Sequence, residues 1–194
     1  MRTIPAPSVP VSQLGRAAHD LGLAGLLGGN LFGRLALHPS VTAISDESER
    51  GMVVNAAWRR YGTINTLSLL AVGTGWIGAR ANEAADRRLS VRERRLARAK
   101  DVLVGVVAAT GLASAVQGVR FAAQAPRGAV PLSDGDHAAG AAGDEARRAK
   151  RRLNALGAAS LAAEVSLVAV NAALNQRSFR RPPARRLVPR VGRI

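Results

Sequence analysis

Two stretches of this chain are as long as a bilayer interior is thick and carry no charge: residues 61–79, YGTINTLSLLAVGTGWIGA, and residues 102–119, VLVGVVAATGLASAVQGV. A helix rises about 1.5 Å per residue, so either stretch reaches across roughly 30 Å of hydrocarbon. A helix on the surface of a soluble domain needs a polar stripe, and neither stretch supplies one. Two companions are less pure. Residues 16–37 include His19, Asp20 and Arg34, and residues 153–176 carry Glu164 near the middle. A soluble four-helix bundle accommodates these two impure segments but not the two charge-free ones. The expected fold is therefore all-α, a four-helix transmembrane bundle with helices over about 15–37, 60–80, 90–122 and 146–176.

Strands are disfavoured, because alternating patterns are missing and Ala and Gly abound. The small residues suit close helix packing in lipid instead. Gly25, Gly29 and Gly33 are spaced four apart on one face of the first helix, and Ala71, Gly75 and Ala79 repeat the spacing on the second. Where no hydrophobic force separates helix from lipid, such faces supply packing through close backbone approach.

The rest of the chain is strongly basic, with 28 Lys+Arg against 13 Asp+Glu and a formal charge of +15. There is no cysteine, which excludes disulfide scaffolds, thiol catalysis and Cys-based zinc sites. Aromatics make up 3%, too few for a platform that stacks nucleic-acid bases. Residues 1–14 read as an unstructured lead, 15–176 as the membrane domain, and 177–194 as a basic, proline-rich tail that does not fold alone. No cleavable signal is legible at the start, since Arg34 interrupts the apolar run. Ser90 and Glu93 have capping-box spacing, so the third helix is expected to begin there as a basic stem. Residues 124–146 form the longest loop.

With four crossings, seventeen of the 28 bases fall on the side of the termini and the loop 80–101. The rule that positive loops stay inside then puts both termini in the cytoplasm, in the plasma membrane. The cluster Arg147-Arg148-Ala149-Lys150-Arg151-Arg152 opposes that orientation. A short internal match aligns Arg59-Arg60 through Ser68 with Arg151-Arg152 through Ser160, which makes two repeated helical hairpins a further expectation.

Ionisable groups at membrane depth cost at least ~2.5 kcal/mol and need a partner, water or a purpose. Glu164 stands out, with Asn171 seven residues on and on nearly the same helix face. His19 and Asn30 share a face of the first helix, and Asp20, Asn65 and Gln117 complete the set of intramembrane polar candidates. They read either as hydrogen-bonding glue between helices or as a proton or lipophilic-ligand site centred on Glu164. No catalytic constellation is legible, no cofactor is implied, and the three histidines show no metal-ligand spacing. Asp134-Gly135-Asp136-His137 lacks a calcium-loop pattern and reads as a polar turn. Trp58 and Tyr61 beside Arg59 and Arg60 read as an interfacial belt anchor.

The stretch His19-Asp-Leu-Gly-Leu-Ala-Gly-Leu-Leu-Gly-Gly-Asn-Leu-Phe-Gly-Arg-Leu-Ala-Leu-His-Pro39, with Glu49-Arg-Gly51, Asn55-Ala-Ala-Trp58-Arg-Arg60, Gly118-Val-Arg-Phe121 and Arg181-Pro-Pro-Ala-Arg185, resembles an uncharacterised family of actinobacterial four-helix integral membrane proteins. The resemblance covers most of the chain and implies location and architecture, with no activity to carry over. The first helix alone is more loosely similar to the anthrone-oxygenase-like and copper-resistance membrane families, whose metal-binding residues are missing here.

The expected function is that of a small membrane bundle acting as a structural or partner subunit, or binding a lipophilic small molecule. Its expected partners are anionic lipid headgroups and a second copy or another membrane protein. The alternatives are a membrane-embedded oxidoreductase or a proton or small-solute path through Glu164. A basic soluble helical protein that binds nucleic acid or an acidic membrane surface is the rival of a different class. A pI near 11.9 suits that rival. The bases cluster at segment ends, however, as juxtamembrane anchors do, which disfavours nucleic acid.

Overall fold

The computed structural model describes residues 11–82 and 84–179; of the expected lead (1–14) and tail (177–194), residues 11–14 and 177–179 are helical, and the rest lie outside the described residues. Four long helices account for most of them: α1 (Val11–Phe32), α2 (Glu47–Ala81), α3 (Val91–Ala122) and α4 (Asp144–Phe179). The fold is all-α. Among the described residues the only β pairing is an isolated bridge between Leu132 and Ala138.

α1 does not stop at Phe32. It runs on through a π-helical turn, Gly33–Leu37, in which the His38 N–H reaches back five residues to Gly33 O. Pro39 follows, and its ring lacks an N–H and crowds the carbonyl four residues before it, a strain that a widened turn relieves. Ile44 is extended and ends the run. α2 then starts at Glu47, well ahead of the position that the charge-free stretch marks. Asp46 caps it, its Oδ1 accepting the Glu49 N–H at 2.8 Å, and Glu47 and Glu49 sit where the helix dipole favours acids. Its 35 residues span about 52 Å, longer than a bilayer interior. α3 opens with a capping box, Ser90 N–H donating to Glu93 Oε2 at 2.8 Å and Glu93 N–H to Ser90 Oγ at 3.4 Å.

Sequential helices pair as antiparallel hairpins, α1 with α2 and α3 with α4. Along the first seam a Cβ placed on Gly22 or Gly25 would strike Ser68, one on Gly29 the Tyr61 ring, one on Gly33 the Trp58 indole, and one on Gly75 the Gly15 carbonyl and the His19 Cβ. These contacts run in opposite directions along the two helices. Ala71 lies under Gly22 in the same seam. The hairpins meet through α1 against α4 and α2 against α3. Leu23, Leu26, Val72, Val107, Ala163 and Leu167 fill the bundle between them.

A second apolar core sits beyond one end of the bundle. The segment 124–143, expected as a loop, folds down as a cap in which Val130 and Leu132 pack with Val41, Val54, Phe121, Ala142, Ala146 and Ala149. Leu132 N–H donates to Glu47 O at 2.9 Å, and Arg50 donates to Ile44 O and Ser133 O at 2.7 Å each. The early start of α2 makes this cap possible, because its first turns project past the other helices and give the segment something to cover.

Candidate functional site

The buried polar side chains lie in three layers. The first is near the start of α1 and the end of α4. Asp20 Oδ1 lies 3.1 Å from His19 Nδ1 and accepts Asn171 Nδ2 at 2.9 Å. Asn171 Oδ1 in turn accepts Lys100 Nζ at 2.6 Å, and that ammonium lies 4.3 Å above the Trp76 ring. Trp76 Nε1 donates to Asp101 Oδ1 at 2.8 Å, which also accepts Arg80 Nε at 3.1 Å. Arg80 continues to Asp86, shared with Arg98. Each of the four helices contributes a member, so this layer ties the helix ends together. His19 Nε2 is buried with no hydrogen-bond partner.

The middle layer is small. Asn30 Nδ2 donates to Glu164 Oε1 at 2.7 Å, and Ser160 Oγ donates to the same oxygen at 2.9 Å. Glu164 is 1% exposed and its Oε2 has no partner. Tyr61 stacks its ring over Gly29 and donates its hydroxyl to Gly25 O. Neither Arg34 nor Arg120 reaches the carboxyl: Arg34 donates to Asn154 O, and Arg120 is exposed. Asn65 and Gln117 are half-buried and show no side-chain hydrogen bond among the described residues.

The outer layer joins the bundle to the cap. Its members are His38, Trp58, Asp136, Lys150 and Asn154, with Asn154 Nδ2 donating to Asp136 O at 2.6 Å. His38 stands between Asp136 at 2.8 Å and Trp58 at 3.1 Å. Burial pushes the Lys150 ammonium below the ordinary lysine range, and the nearby Asp136 and Asp134 oppose the shift. Asp134 Oδ1 accepts the N–H groups of Asp136 and His137, closing the polar turn on itself. The described residues hold no cluster of three metal-ligating side chains.

Asp20 and His38 are eighteen residues apart along α1, roughly 27 Å, with Asn30 between them. The first and third layers, inner and outer by their order along α1, are thus roughly 27 Å apart, and the Asn30–Glu164 pair sits near the middle of that span. Between the middle and inner layers Leu23, Leu26 and Leu167 are all but fully buried. Between Glu164 and the His19–Asp20–Asn171 chain these leucines leave only the buried Ser68 hydroxyl, against Gly25, and among the described residues no side-chain hydrogen bond links the two layers.

Several members carry no signal in the sequence. Trp58 and Tyr61 turn inward onto α1 instead of standing at a lipid interface, since glycines at positions 29 and 33 leave the space that their rings fill. Lys100, Lys150, Trp76 and His38 join buried networks only because distant segments meet, whereas Ser160 meets Glu164 one turn along its own helix. Arg59, Arg60, Arg151 and Arg152 are all exposed. No protein-family model, curated protein or solved structure matches the chain.

Proposed function

We propose that this chain is an integral plasma-membrane protein whose four helices all cross the bilayer, and that it serves as a structural or partner subunit with a folded cap on the outer face. One observation carries the reading. α3 and α4 are long and apolar enough to cross a membrane, yet the apolar windows that qualify them are only 6% and 22% buried inside the bundle. The core helix of a soluble protein hides such a window. Here Val102, Val106, Leu112, Val116, Val119, Val165 and Val168 point outward, as lipid-facing residues do. α1 and α2 run alongside at the same depth, with Leu21, Leu35, Ile64, Leu67, Leu70 and Ile77 also bare.

These faces suit acyl chains, a second copy or a membrane partner better than water. At the opposite end from the cap, Arg87, Arg88, Arg92, Arg95 and Arg98 are exposed beside the inner layer. They suit anionic headgroups of the cytoplasmic leaflet, each worth about 1 kcal/mol near the surface. The cap weakens the objection raised by the Arg147–Arg152 cluster. Arg147 is bound to Gly140 O, Ala142 O and Asp144, and Lys150 faces Asp134 and Asp136, so two of its five bases are folded inward. A lipophilic ligand that accepts a hydrogen bond at Glu164 is a second reading, supported by the unpartnered Oε2.

Two measurements test the reading. After a carbonate wash of disrupted cells the protein should remain in the membrane pellet; recovery in the soluble fraction without detergent overturns the proposal. Single cysteines at Ser12 and Ser178 should resist an impermeant maleimide in intact cells, while one at the exposed Ser133 on the cap should label, because the chain has no cysteine of its own. The reverse pattern means that the cap lies in the cytoplasm.

A further inference from the structure

Among the contacts that join the cap to the bundle, one is made by an imidazole. His38 is buried, and its Nε2 lies 3.1 Å from Trp58 Nε1 while its Nδ1 lies 2.8 Å from Asp136 Oδ1. An indole nitrogen only donates, so Nε2 must offer its lone pair and Nδ1 must carry the proton. The two contacts together fix a neutral ring in one tautomer. The cap turn rests on this residue directly. Gly135 N–H donates to His38 O at 3.1 Å, and a Cβ on Gly135 would lie 2.3 Å from His38 Cα. Trp58 and His38 also meet edge to face, with centroids 5.9 Å apart.

The charges around the ring come from its own helical run, from α4 and from the cap turn. Arg34 stands one turn earlier on the same helical run, Lys150 approaches from α4, and Asp136 comes from the cap turn with Asp134 and its partner His137 behind it. Trp58, from α2, contributes no charge.

We propose that His38 is an acid-released latch: a second proton on the ring, at Nε2, sets two N–H donors against each other across the Trp58 contact, and the cap turn 133–137 lifts from α1 and α2. The latch rests on the geometry of the cap and not on the bilayer, so it holds whichever side of a membrane the cap faces. Burial, then Lys150, holds the closed imidazole below its ordinary value, with Asp136 opposing. The opened ring meets water and regains the ordinary value of about 6.5. The open form thus binds the proton more readily. Closure is fully supported above about pH 6.5 and is lost as pH falls through the depressed value of the closed state. Across that window the opening constant grows by up to about tenfold per pH unit.

Hydrogen exchange of the full-length protein in detergent, read by mass spectrometry, tests the latch. Peptides covering residues 130–139 contain the cap N–H groups of Leu132, Gly135 and Ala139, bonded to Glu47 O, His38 O and Pro131 O. With exchange times corrected for the intrinsic effect of pH, their protection should fall between about pH 7.5 and about pH 5, by at most about tenfold per pH unit below about 6.5. His38→Gln should show the same protection at both values. Trp58→Phe keeps an aromatic ring and removes the opposing donor, so its fall should be several times smaller than that of the wild type. Unchanged protection in the wild type overturns the latch. So does an equal fall in the wild type and Trp58→Phe, which would mean that the Trp58 contact is not what the second proton breaks. Should His38→Gln fail to fold, the comparison with Trp58→Phe decides alone.

Discussion

Glu164→Leu is expected to lower the melting temperature of the detergent-solubilised protein by about 4–8 °C, while Glu164→Gln stays close to wild type. The carboxyl gathers two donors on one oxygen, Asn30 Nδ2 from α1 and Ser160 Oγ from its own helix. It is therefore a polar bond between the two hairpins at the middle of the bundle. Leucine fills similar space but leaves the Asn30 amide and the Ser160 hydroxyl facing an apolar side chain. Unsatisfied buried groups of that kind cost about 1–3 kcal/mol, and each kcal/mol moves the midpoint of a chain this size by about 2–4 °C. Glutamine presents the same acceptor at the same place. The pair of variants separates glue from chemistry: if Gln melts like wild type yet abolishes a bound lipophilic ligand or a cellular phenotype, the titrating proton matters. If Leu also melts like wild type, the Asn30–Glu164 bond contributes nothing and the hairpins dock by packing alone.

Gly29→Ala should destabilise by a similar amount, whereas Gly28→Ala should be neutral or slightly stabilising, although the two residues are neighbours on α1. A Cβ at position 29 would lie 2.1 Å from Tyr61 Cζ, and the ring cannot yield cheaply because its hydroxyl is bonded to Gly25 O. Forcing it aside combines overpacking, typically about 1–3 kcal/mol, with the loss of that hydrogen bond. A Cβ at position 28 meets nothing within 4 Å. Alanine there gains helix propensity of up to about 1 kcal/mol over glycine. Differential scanning fluorimetry on the two variants checks the contrast. Equal midpoints would mean that α1 and α2 do not pack through the Gly25–Gly29–Gly33 face.

Much of this architecture is written locally. Charge-free runs of bilayer length, helix-breaking intervals and capping residues depend on neighbours within a turn or two, so the four helices follow from reading the chain in short windows. The Ser90–Glu93 box is such a feature, and its geometry closes within four residues. The glycine spacing on α1 is another, because a face is a property of one helix. The hydropathy of single segments was a poorer guide to rank. Residues 61–79 are free of charge, but α3 and α4 hold the apolar windows that meet the spanning criterion, α4 despite Glu164. The many small polar residues in α2 dilute its apolarity as effectively as an isolated charge does.

What the tertiary structure alone decided is which polar groups meet. Glu164 finds Asn30 across 134 positions of chain, Lys100 finds Asn171 across 71, and His38 finds Asp136 across 98. No window of sequence spans such distances. Asn65 and Gln117 carry the same side-chain chemistry as Asn30 and Asn171 yet join none of the three layers, because rotation about the helix axis, set by packing, points them elsewhere. The cap shows the same limit most plainly. Residues 124–143 are rich in Gly, Ala and Pro and have no periodicity of their own. They fold because α2 begins early enough to offer Val54 and Glu47 as a floor, and because His38, at the far end of α1, reaches the turn that closes over it. Local propensity determines where helices run; which buried donor meets which acceptor is settled only when the helices pack, since an unpaired polar group in that interior is penalised and a paired one is not.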